Sequence, residues 1–262
     1  MSTDDFLARF GAAGQRQPDP VAAAQSGMRN ALPKRFYETA AVIERDGLFH
    51  VALDGRTART PARNPLAVTS QPVAEALAAE WHAPSEKIDP ARMPLTRLVN
   101  SALDGVADQH EAVRAEIVRY AGSDALCYRA AEPDTLVARQ AEIWDPILAE
   151  TTQRLGARFI LAEGVTYAQQ LPETLAAVAR RVAAIPAPLA LAGAHNVMTL
   201  TGSTILMLAL ADGIRDAEAV WSAAHLDEDF QIAIWGQDEE AAERRAIRRT
   251  EFDAAALLLK HG

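Results

Sequence analysis

Late in the chain a carboxylate, an amide and an indole follow one another at helical spacing: Glu228, Gln231 and Trp235. Residues three, four and seven apart share a helix face. Trp221, Ala224 and Ile232 fall on that same broad face, so Glu228 and Gln231 stand where apolar side chains are expected. Gln140 stands similarly beside Leu136, Ile143 and Trp144. Polar groups so placed either close a hydrogen-bonded network inside the core or line a groove in which a partner completes their bonds. The internal network carries more weight, because an unpaired buried polar group is costly. Acidic residues crowd the same region at Asp227, Glu228, Asp229, Asp238, Glu239, Glu240 and Glu243, and Arg244, Arg245, Arg248 and Arg249 follow. Acids before bases suit a helix dipole, and Glu240 with Arg244 is an i, i+4 pair. Exposed pairs of this kind add little stability, so the run also reads as the edge of a binding surface.

Catalytic signatures are absent. The chain has no Gly-x-Gly-x-x-Gly, no Walker-type phosphate loop, no His-Glu-x-x-His and no Cys-x-x-Cys. Its six histidines supply no i, i+4 pair, and His195, inside an uncharged stretch, reads as a hydrogen-bonded core histidine. Cys127 is the single cysteine; it excludes an intrachain disulfide and reads as a small buried hydrophobe. Thr201-Gly-Ser-Thr204 lacks the Gly-x-Ser-x-Gly spacing of a nucleophile elbow, and its small residues suit close helix approach. We therefore expect no catalytic residue, no metal and no cofactor. Two other readings stand beside a dedicated binding protein: an enzyme with a dispersed active site, and a general helical adaptor.

With 26 Lys plus Arg against 35 Asp plus Glu, the 262 residues carry a net charge of −9. That balance argues against nucleic acid as partner and for a basic or neutral protein surface. No apolar signal segment opens the chain, whose start carries Asp4 and Asp5; a reducing compartment, the cytoplasm, is expected. Between Arg181 and Asp212 no charged residue intervenes, but Pro186, Pro188, Gly193, His195, Asn196 and Gly202 place breakers and polar groups there. A buried helical hairpin is expected in place of an integral membrane segment.

These residues need elements to position them, and the chain suggests an α+β organisation. Residues 1–33 have no apolar period and read as a mobile arm. Residues 34–92 read as a β-rich domain with one helix: runs at Ala41–Glu44 and Leu48–Leu53 are separated by Asp46-Gly47 and Asp54-Gly55, whose positive φ angles suit two-residue hairpin turns. Arg56–Thr60 and Leu66–Thr69 add strands to a small antiparallel meander, with one face of the second run apolar and the other mixed. Ser70 is placed to cap a helix from Pro72 to Trp81. Residues 93–262 then read as a larger all-helical domain. Helices are expected from Pro94, from Asp108 with Glu111 as a capping box, from Thr135 to Leu155 with a kink at Pro146, from Pro172 to Ile185, through the uncharged hairpin, from Ala217 to Trp235, and from Glu239 onward. Phe159–Leu161 is the one late strand.

Residues spread over this frame resemble the assembly chaperones that bind the alpha subunit of F1 ATP synthase in mitochondria and alphaproteobacteria. They are Lys34-Arg-Phe-Tyr37, Leu53-Asp-Gly-Arg56 with Thr60-Pro61, Glu80-Trp81, Met93-Pro-Leu-Thr96 with Asn100 and Asp104, Asp124 to Arg129, Gln140 with Trp144 and Pro146, and Leu226, Glu228, Gln231 and Trp235-Gly236. The resemblance implies a small β-rich N-terminal domain joined to a larger helical one. It implies an ATP-independent chaperone that shields the surface of a free alpha subunit until the beta subunit replaces it. It also implies a functional acidic position near the end of the chain, among Asp238, Glu239 and Glu240, with Glu240 favoured. A bacterial member would be cytoplasmic and a eukaryotic one would lie in the mitochondrial matrix. The expected partner surface is thus Glu228, Gln231 and Trp235, edged by Asp238, Glu239 and Glu240.

Overall fold

The computed structural model describes residues 32–164 and 166–262. The expected arm, residues 1–33, lies almost wholly outside the described residues. The chain divides into two compact units. In the smaller, residues 32–36 run beside residues 84–89, joined by Arg35 N–H to Glu86 O at 2.8 Å and Ile88 N–H to Pro33 O at 2.9 Å. The larger comprises residues 37–83 and 90–262 and carries both the sheet and the helical core.

The sheet grows from two Asp-Gly turns. Asp46 and Gly47 (φ 53° and 74°) join β1 (Ala40–Arg45) to β2 (Leu48–Leu53), and Asp54 and Gly55 (φ 48° and 77°) join β2 to β3 (Arg56–Thr57). Both central residues of each turn are left-handed, the geometry whose twist matches the flanking strands. Ala40 stands opposite Leu53 and Arg45 opposite Leu48. The other edge of β2 is shared: β3 covers Ala52 and Leu53, and β4 (Ala67–Val68) covers Phe49 and His50. The mixed face predicted for β2 is not exposed. His50, Val51, Ala52 and Leu53 are all buried, because α1 (Gln71–His82) packs on the sheet with Val73 and Leu77 fully enclosed. Ser70 sits at the N-cap of α1 in an extended conformation, but its hydroxyl makes no capping bond, contrary to expectation.

Helices fill the remainder. α2 (Pro94–Ser101) runs through a π-helical turn, Ala102–Val106, directly into α3 (Ala107–Ala121). The predicted capping box at Asp108 and Glu111 is therefore not formed: the backbone is already helical at Asp108, and the discontinuity is a kink at Gln109. The wider π turn presents Asp104 to the loop between β3 and β4, where its carboxylate accepts from the Thr60 hydroxyl at 2.6 Å, the Ala62 N–H at 3.0 Å and the Asn64 amide at 2.9 Å. The Thr60 hydrogen bond, first among these, holds the Asp104 carboxyl below its usual range. Glu80 does the same work for α2, accepting from Leu95 N–H and Thr96 N–H where Met93 offers no cap.

α4 (Asp134–Leu155) continues through Pro146, and α5 spans Pro172–Ala183. The late strand is displaced from Phe159–Leu161: Phe159 is buried in the core, and β6 (Ala162–Glu163) pairs in parallel with β5 (Tyr128–Arg129). The uncharged hairpin is α6 (Leu189–Thr201) and α7 (Thr204–Ala211), almost entirely buried. The expected single helix from Ala217 to Trp235 is two, α8 (Ala217–Ala224) and α9 (Leu226–Trp235), and α10 (Glu239–His261) follows. The α+β organisation thus stands: a small antiparallel region, then a larger helical one with one two-residue parallel pair. No helix among the described residues is long and apolar enough to cross a membrane.

Candidate functional site

His225 breaks the helix that sequence periodicity runs through it. Its backbone leaves helical geometry (φ −107°, ψ 15°), its ring lies 3.9 Å from the Trp221 ring, and its Nδ1 faces the Trp221 carbonyl at 2.9 Å. Burial is the main cause that lowers the His225 pKa, so at neutral pH the ring is uncharged and its Nδ1–H is the donor to that carbonyl. The break turns α9 out of the apolar stripe of α8. Trp221 is buried, whereas Glu228, Gln231 and Trp235 are exposed. The expectation that Glu228 and Gln231 close an internal network is thereby corrected: a face continuous in sequence is divided in space by one residue. Gln140 does close such a network. It is 2 % exposed, accepts from Ala130 N–H at 2.9 Å and donates to Asp227 Oδ1 at 2.8 Å.

Gly236 ends α9 with φ 87° and ψ 169°, a conformation open only to glycine, and sends the chain back. Asp238 then caps α10, accepting the Ala241 N–H at 2.8 Å. The returning helix and α9 are linked by the Asp229–Arg245 ion pair, which raises the Arg245 pKa. A groove of about 210 Å³ lies between them. Glu228, Gln231, Ile232 and Trp235 form one wall; Ala241, Ala242 and Arg245 form the other; Asp238 lies at the turn. Trp235 is 82 % exposed.

The charges around this groove are unequally spent. Arg244 pairs with Glu240 and Arg245 with Asp229; Arg248 donates to Leu200 O at 2.9 Å, and Arg249 to Glu218 and Asp253 at 2.7 and 2.8 Å. Among the described residues the side chains of Glu228, Glu239 and Glu243 make no hydrogen bond or ion pair. Each of these four bases thus has a partner, whereas several of the surrounding carboxylates do not. Of the predicted surface, Glu228, Gln231, Trp235 and Asp238 come together in the groove. Glu239 and Glu240 do not line it; they occupy the exposed first turn of α10.

Sequence reasoning missed Asp229 and Arg245, which hold the groove together. The signal was available: they are opposite charges equidistant from Gln237, as an antiparallel helix pair requires. It also gave no role to Asp124. That carboxylate is fully buried and accepts from the Ser203 hydroxyl at 2.7 Å, Ile205 N–H at 2.8 Å and Leu126 N–H at 3.1 Å. Burial pushes its pKa up to about 6. Burial, with the nearby Asp124 charge, also pushes the Cys127 thiol up to about 12, so that thiol is protonated at neutral pH. His195 is half-buried and pairs with Glu116 at 3.0 Å. No group of three or more His, Cys, Asp or Glu side chains among the described residues is placed to hold a metal ion.

Residues 34–152 match the family described as ATP12 chaperone protein. Among solved structures, the chain is similar to a protein from Agrobacterium tumefaciens described as a candidate chaperone, with 48 % identity and a TM-score of 0.83, covering 93 % of this chain and 91 % of that one. It is also similar to Atp12 from Paracoccus denitrificans, with 38 % identity and a TM-score of 0.78, covering 86 % of this chain and 97 % of that one. A point mutant of P. denitrificans Atp12p matches at the same identity and TM-score.

Proposed function

Because this chain belongs to the ATP12 chaperone family, we propose that it is an ATP-independent assembly chaperone for the free alpha subunit of F1 ATP synthase. It holds the surface that the beta subunit later covers, and it works in the bacterial cytoplasm, where that client is made. The observation that carries the choice of surface is Trp235, a large aromatic side chain left 82 % exposed beside an acidic groove. Aromatic side chains supply binding energy when a partner buries them, while surrounding charge rejects wrong partners. The client surface is the groove of Glu228, Gln231, Trp235 and Asp238, with Glu239 and Glu240 at its rim.

The family is one of chaperones, and catalysis has no part in this role. The purified chain, without nucleotide, should suppress aggregation of isolated alpha subunit at equimolar ratio and should release it when beta subunit is added. Persistent aggregation of the client, or a requirement for ATP, contradicts the proposal.

A further inference from the structure

We infer that the groove's occupant is a helical client segment that carries a cationic and a large apolar side chain two turns apart on one face. This rests on reading the groove as the client surface and adds the chemistry of what enters it. Glu228, Gln231, Ile232 and Trp235 form a row along α9, and the seven steps from Glu228 to Trp235 span about 10 Å at 1.5 Å per residue. The row has a carboxylate at one end, an amide in the middle and an indole at the other. The carboxylate of Glu228 makes no hydrogen bond or ion pair among the described residues, and only its longer-range attraction reaches Arg245 across the groove. Asp229, its neighbour, is already committed to Arg245, and Asp238 gives one oxygen to the Ala241 N–H.

The facing wall is built from Ala241, Ala242 and Arg245: the two methyl groups leave room for a side chain laid against Trp235, and the Arg245 charge is taken by Asp229. An acidic segment would meet Glu228 at one end and Asp238 at the other with no uncommitted base to receive it, so the cation is selected by sign. A helix is selected by hydrogen bonding. Both walls are helices whose backbone groups bond within themselves, so a strand laid between them would leave its own N–H and C=O groups against alanine methyls. A helix satisfies its own backbone and offers only side chains. Side chains seven apart on that helix match the separation of Glu228 and Trp235.

The test uses three alanine-based helical peptides and the full-length protein. One places Arg and Leu at i, i+7 on one face; the second has the same composition with the two at i, i+5 on different faces; the third replaces Arg with Glu. Calorimetry should show the first binding at least tenfold tighter than either other. That preference should disappear in Trp235→Ala and in Glu228→Gln, both at exposed positions that leave unfolding unchanged. Equal binding of the two Arg peptides would show mere attraction to an acidic chain and would overturn the inference, as would a preference that survives Glu228→Gln. Shielding of alpha subunit by the same variants separates the two claims. If Trp235→Ala loses shielding while the peptides are not distinguished, only the helix inference fails; if Trp235→Ala shields fully, the reading of the groove fails and the inference with it.

Discussion

Two of the helix pairs that turn at a glycine among the described residues are built in opposite ways. α6 and α7 meet at Gly202, φ 67°, and α9 and α10 meet at Gly236, φ 87°. Around Gly202 the polar groups are enclosed and satisfied: Ser203 caps α7 and donates to Asp124, Thr201 bonds the Val197 carbonyl at 2.7 Å, and Thr204 bonds the Ile117 carbonyl at 3.0 Å. Around Gly236 the groups are left in water. Leu226 is the one buried residue of α9, and α10 buries nothing before Phe252. Lack of charge marks a segment whose bonds are made inside the protein, whereas the crowd of charge beside Trp235 stays at the surface, where the proposed client contact would form.

The comparison breaks most visibly if the enclosed pair tolerates change. Replacing Asp124 with Ala removes the acceptor of Ser203, Ile205 and Leu126. Each buried donor so orphaned costs roughly 1–3 kcal/mol, so chemical denaturation should show a loss of about 3 kcal/mol or more by that reckoning. At Gly193, on α6, a Cβ would lie 2.5 Å from Leu259 N and 2.6 Å from Ala255 O, which are backbone atoms of α10 and cannot swing away. Gly193→Ala should therefore destabilise by about 1–3 kcal/mol as the two helices are forced apart; an unchanged unfolding midpoint would show that the helices slide freely.

The pH dependence sharpens the same contrast. The folded pKa of Asp124, raised by burial to about 6, lies above its ordinary 3.8. As pH falls from 7 the folded state takes up this proton before the unfolded state does, so the group's contribution to stability rises through pH 6 and levels off below 3.8. Measured against Asp124→Asn, which does not titrate, the wild type should gain relative stability between pH 7 and 4. A constant difference across that window would mean that the carboxylate is solvated.

At the exposed pair the expected effects on folding are small. Trp235→Ala should leave the unfolding midpoint within about 0.5 kcal/mol of wild type, as at other exposed positions, while weakening client binding by at least tenfold. Glu240→Lys reverses a charge outside the groove and removes an exposed pair with Arg244. It should weaken client binding only a few-fold, and less so at high salt. A larger effect than Trp235→Ala would move the centre of the surface from the groove to the first turn of α10.

Much of this contrast was legible in the residues. Asp46-Gly47 and Asp54-Gly55 specified their turns because backbone sterics act locally, and the charge-free run specified burial. The break at His225 was not legible, since the burial of its ring against Trp221 is a tertiary contact that helical period does not encode. Nor was the continuous path from α2 to α3: Asp108 and Glu111 have the spacing of a helix start, but the tertiary bonds of Asp104 carry the helix through that point. For the groove, the wall carrying Glu228, Gln231 and Trp235 could be read from helical period. Their exposure could not, because period alone does not say which neighbour covers a face.

Hydrogen exchange of the chain alone and in complex with free alpha subunit tests the central claim most directly. The account predicts new protection across residues 226–245, on both walls of the groove, with the exchange of residues 189–211 unaltered. Protection confined to residues 40–68 on the sheet, with 226–245 exchanging as in the free chain, would contradict it.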